Sequence, residues 1–189
     1  MHIRIINSPQ TKNTLIFSAI SAIVCGLIQS DWIFWIPGAV FGILFAIANF
    51  HKKFQISLFA ALSSIIYIGA VRIFFIASGK DLNYYLVGGF FAGAFGALTL
   101  VLSIKLISKT SLAISNEFLS TIVGGITGIA FVQLFIYGLG KPFSSNDDWK
   151  WALIPVAFAV WQIPVGWLLT RSIQPNSYLS NGLSANEIG

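Results

Sequence analysis

Read for the spacing of apolar and polar positions, the chain divides into six apolar runs at about 14–30, 32–50, 54–77, 84–107, 118–139 and 151–170, separated by short polar turns. A helix rises about 1.5 Å per residue, so runs of this length suit a hydrocarbon layer about 30 Å thick. Barrel strands would alternate apolar and polar positions instead. The pattern therefore predicts an all-α fold: a polytopic membrane bundle of six transmembrane helices spanning residues 14–170. Residues 1–13 are expected to form a cytoplasmic N-terminal segment, and the Ser- and Asn-rich residues 171–189 a flexible cytoplasmic tail.

Taken in order, the runs differ in what interrupts them. The first lacks a small-x-small cleavage site, and Val24 rather than a small residue precedes Cys25, so an uncleaved span is expected rather than a signal peptide. The second carries Pro37 in its first turns, where a missing amide costs little, followed by Gly38-x-x-x-Gly42. The third contains a single charge, Arg72. The fourth includes Gly88–Ala97, in which seven of ten residues are Gly or Ala. Gly89, Gly93 and Gly96 lie within a small-residue arc of about 240°, as expected of a central helix packed on most of its perimeter. The fifth repeats the close-approach spacing as Gly124-x-x-x-Gly128, and the sixth holds two hinge candidates, Pro155 and Pro164.

Composition strengthens the membrane reading. Of 189 residues, 56% are hydrophobic and 9% charged, against about 25% charged in soluble domains. The net charge of +5 is spread singly or in pairs, unlike the basic face of a nucleic-acid binder. It acts instead as a topology signal. Arg4, Lys12, Lys52, Lys53, Lys105, Lys109 and Arg171 fall on one side of the six-span arrangement, and Lys80, Lys141 and Lys150 on the other. By the positive-inside rule both termini are cytoplasmic. Trp32, Trp35, Tyr84, Tyr85, Tyr137, Trp149 and Trp151 mark the outer boundary. Location in a plasma (inner) membrane is expected, with the lipid bilayer as partner and a homo-oligomer or membrane-protein partner as further candidates. The lone Cys25 excludes an internal disulfide and a thiol metal cluster.

Groups for chemistry are sparse. His2 and His51 lie at the cytoplasmic edge outside any metal-ligand spacing, and Asp147 and Asp148 fall in an outer loop. Nucleophile elbows and phosphate-cradling loops are absent. A non-enzyme with no cofactor and no metal is expected. The candidate ligand-binding residues are Ser63, Ser64, Tyr67, Arg72, Gln133 and Gln162. Ser57, Ser63, Ser64 and Tyr67 share a mildly polar helix face of about 120°. Arg72 sits about a turn and a half from the outer end of its span, within snorkelling reach of the headgroups. Gln133 lies at similar depth and would bond Arg72 if their helices were neighbours. Gln162 is the most central polar side chain, beside Pro164, whose ring frees the Val160 carbonyl. Two functions fit: a small-solute permease or membrane subunit of a transport system, or a non-transporting scaffold that assembles with another complex through its glycine faces.

Overall fold

The computed structural model describes residues 9–27, 36–78, 82–108, 114–139 and 153–173, with backbone alone at 82–83, 114–116 and 136–139. Expectations placed on residues 1–8 and 174–189 of the two terminal segments, the aromatic residues 32, 35, 137, 149 and 151, the lysines 80, 109, 141 and 150, and the acidic pair 147–148 fall outside the described residues or side chains, whereas residues 9–13 and 171–173 are helical. All described elements are helices: α1 (Pro9–Leu27), α2 (Ile36–Asn49), α3 (Lys53–Ser78), α4 (Leu82–Ser108), α5 (Ile114–Leu139) and α6 (Leu153–Ile173).

Four of them contain stretches long and apolar enough to cross a membrane: Lys53–Ser78, Tyr84–Ser108, Glu117–Phe135 and Leu153–Ile173. α2 is apolar but has only 14 residues, about 21 Å of helix. α1 has 19 residues and begins at Pro9, five positions before the apolar run, because Gln10, Thr11, Lys12 and Asn13 continue the helix. Proline at a first helical position loses no backbone bond. α5 likewise begins ahead of its apolar run, at Ile114.

Each helix packs against its chain neighbours and α6 packs against α1, closing a ring in chain order; contacts from α4 and α2 to α6 cross its interior. Polar bonds join the helix ends on one side. Gln10 Nε2 donates to Asn49 Oδ1 at 3.1 Å, linking α1 to α2. Gln55 Nε2 donates to the Ile107 carbonyl at 3.3 Å, linking α3 to α4. Lys105 Nζ pairs with Glu117 Oε1 at 3.1 Å, linking α4 to α5. Lys12, Lys52, Lys53, Lys105 and Arg171 therefore share one end of the bundle, and Arg72 lies toward the other.

Burial runs opposite to that of a water-soluble domain. α1 buries Thr11, Thr14, Ser18, Ser21 and Cys25 while exposing Ile16, Ile20, Ile23, Val24 and Leu27. Other outward side chains include Ile65, Ile76, Phe91, Leu106, Phe118 and Ile126. Water penalises such a surface, whereas lipid solvates it and favours turning hydroxyls inward. On α4 the small residues Gly88, Gly89, Gly93, Ala94, Gly96 and Ala97 are buried and Phe91 faces out.

Close approach requires glycine where α4 meets α5. A Cβ at Gly93 would collide with the Gly124 carbonyl oxygen and stand 2.8 Å from Gly128 Cα, and one at Gly128 would collide with the Gly89 carbonyl. Gly38 and Gly42 of α2 instead pack on the serine face of α3: their Cβ atoms would lie 2.6 Å from Tyr67 Cβ and 2.7 Å from Ser63 Cβ.

The half of the bundle at the basic end is filled. Phe41, Phe45, Phe50, Phe59, Leu100, Val101, Ile104, Ile107, Val165 and Leu169 form one buried cluster there. Phe45 and Phe59 pack with ring centroids 5.1 Å apart.

Candidate functional site

Above this cluster the ring does not fill its own interior. A cavity of about 420 Å³ opens among the first half of α2, the second half of α3, the first two-thirds of α4, the second half of α5 and the first half of α6. Phe41 and Leu100 belong both to its lining and to the packed cluster, and so form its floor. The volume falls within the range of about 300–1,000 Å³ usual for small-molecule pockets.

Its walls are mainly aromatic and glycine. Phe131 stands edge-on to Phe158 at 5.1 Å, Phe41 edge-on to Trp161 at 6.0 Å, and Phe74 stacks on Tyr85 at 5.9 Å. Such offset and edge arrangements are the favourable ones for rings. Gly96 leaves room for the Trp161 indole, whose Cζ2 would lie 3.1 Å from an added Cβ. Gly38, Gly89, Gly93, Gly96 and Gly128 also line the space, so the residues that bring helix backbones together expose bare backbone to it. Gly42 and Gly124 do not reach it.

Among the candidate ligand-binding residues, Ser63, Tyr67 and Gln162 line this cavity. Ser64 does not; its hydroxyl donates to the Ala60 carbonyl of its own helix at 2.9 Å. Arg72 and Gln133 are exposed, lie outside the cavity, and do not bond one another. Their helices are not ring neighbours, since α4 stands between α3 and α5. Pro155 falls in the first turn of α6, seated against Gly26. Pro164 lies inside the helix, which continues past it to Ile173.

Gln162 is 2% exposed. Its Nε2 donates to Cys25 Sγ at 3.8 Å, while Cys25 Sγ donates to the Pro37 carbonyl at 3.9 Å. Its Oε1 is buried with no hydrogen-bond partner among the described residues. An acceptor kept from both water and protein costs roughly 1–3 kcal/mol; among the described residues the Ser18 and Ser120 hydroxyls share this state, but neither lines the cavity.

A second polar group sits at the basic end, where α1, α2 and α6 meet. Asn49 Nδ2 donates to Thr14 Oγ1 at 3.0 Å and to the Phe45 carbonyl at 2.9 Å. Thr170 Oγ1 approaches Thr14 Oγ1 at 2.9 Å and the Gly166 carbonyl at 3.0 Å. Sequence reasoning overlooked Asn49, Thr14 and Thr170, and it weighed Cys25 only as a thiol. The signal was there in the hydroxyls of α1, which recur every three or four residues from Thr11 to Ser21 and continue to Cys25.

Among the described residues no three His, Cys, Asp or Glu side chains gather. Comparison with family models, curated proteins and solved structures finds no match to this chain.

Proposed function

We propose that this chain is a six-span integral membrane protein of a plasma (inner) membrane, with both termini cytoplasmic, that captures a small neutral or amphipathic solute in its central cavity. It serves as a permease or as the membrane subunit of a transport system, without catalysis. The observation carrying this reading is the convergence of Ser63, Tyr67 and Gln162, from two helices, on one aromatic-walled space. With the basic end cytoplasmic, as the charge bias indicates, the filled half of the bundle lies inward and the cavity outward.

The scaffold alternative is less favoured by the packing. Its docking surface was to be the glycine faces, yet Gly89 and Gly93 are engaged by Gly124 and Gly128, and Gly38 and Gly42 by α3. Those faces are occupied within the chain itself.

The test is extraction of the protein in discs of its native membrane, with identification of co-purifying small molecules. A reproducible small molecule retained by the parent protein and lost in a folded Gln162→Leu variant is the expected result. A stoichiometric protein partner, with no retained solute and no effect of Gln162→Leu, would favour the scaffold.

A further inference from the structure

The lining of the cavity restricts the chemistry of its solute. None of the described residues lining it carries a formal charge, and an isolated charge in such surroundings pays a large desolvation cost. Phe41, Phe74, Phe131, Phe158 and Trp161 offer ring faces and edges from α2, α3, α5 and α6, and leave little polar surface besides Ser63, Tyr67 and Gln162. The orientation of the Gln162 amide then sets polarity. The Cys25 thiol has the Pro37 carbonyl and the Ser21 hydroxyl each at 3.9 Å to take its one proton, so its sulfur is left as an acceptor and takes the Gln162 N–H. That arrangement leaves Oε1 without a partner among the described residues, in a side chain that lines the cavity, and a turn of the amide toward that space presents it to a solute.

We infer that the solute is an uncharged ring compound bearing an N–H or O–H that donates to Gln162 Oε1, with its ring held among the cavity aromatics. The inference rests on the cavity being the solute site proposed above. A carbonyl-only or ether-only ring would set acceptor against acceptor and leave the amide oxygen unpaired.

Two isosteric probes separate these cases: indole, which carries a donor, and benzofuran, which does not, each with one fluorine at the same ring position. Saturable binding to the full chain in lipid discs is followed by fluorine NMR and corrected for partition into protein-free discs. Wild-type protein should bind the indole at least about tenfold more tightly than the benzofuran, as expected when a buried polar group would otherwise stay unpaired. Gln162→Leu should bring the ratio to about one; Gln162→Met, close in length, serves the same purpose if the leucine variant does not fold. Ala70→Phe, which fills the cavity from α3, should abolish saturable binding of both. Equal wild-type affinity for the two probes overturns the donor inference while leaving the cavity as a solute site. Absence of saturable binding by either overturns both readings.

Discussion

The Gln162 side chain is held by what its nitrogen touches. Cys25 Sγ is its anchor, so Cys25→Ala should free the amide to rotate and reduce the donor-over-acceptor selectivity of the cavity several-fold, with the fold retained by circular dichroism. Thr14 accepts from Asn49 and lies beside Thr170. Thr14→Val keeps the shape and removes both contacts, and should cost about 1–2 kcal/mol in unfolding measured in lipid discs, given interhelical bonds of about 0.6 and at most about 1.7 kcal/mol each. Arg72 faces outward on α3, so Arg72→Leu should leave solute retention unchanged. The central depth of Gln162 was legible from its place midway along the sixth apolar run, whereas its position on the cavity wall was not, because a central amide serves equally well as a bond between helices. The Arg72–Gln133 pairing was not, because depth in the membrane is readable from sequence while ring order is not. Cys25 was weighed for disulfide and metal chemistry alone, because nothing in an apolar pattern shows that its sulfur accepts a hydrogen bond from another helix.

Helices, in turn, associate through seams of different chemistry. The α4–α5 seam is glycine on glycine, and backbone atoms cannot yield as a flexible side chain can. Gly93→Leu should therefore destabilise by at least about 3 kcal/mol, the upper range for overpacking, seen as loss of monodisperse extract or a lowered unfolding midpoint. Gly96→Ala meets only the edge of the Trp161 indole and should cost no more than about 1.5 kcal/mol. The spacing of Gly89, Gly93, Gly124 and Gly128 announced that close approaches exist, but not that these two pairs meet each other. The serine face of α3 was readable by periodicity; its partner, the Gly38–Gly42 edge of α2, was not. In α1 the informative stripe is the polar one, because the helix turns its hydroxyls toward its neighbours and its large apolar side chains outward.

Across the whole molecule, a filled half at the basic end faces a hollow half at the other. A reporter cysteine at Tyr85, introduced with Cys25→Ala, should react with an impermeant maleimide from the side opposite Lys52 and Lys53, whereas one at Ile107 should stay unreactive until unfolding. Reaction of both reporters from the same side would contradict this polarity. The six-helix content and the membrane character were legible from the apolar runs, since length and composition alone decide them. The closed ring was not, because it depends on α1 meeting α6 across most of the chain. That closure bears on how the protein is made. On the six-span reading proposed above, α1 would enter the bilayer long before α6 exists, so Thr14 and Ser21 would have to bond within their own helix, as Thr14 does to the Gln10 carbonyl, until the final helix arrives. A nascent chain halted before α6 would leave this hydroxyl stripe facing lipid or an insertase, and the last helix to be inserted would be the one that completes the bundle.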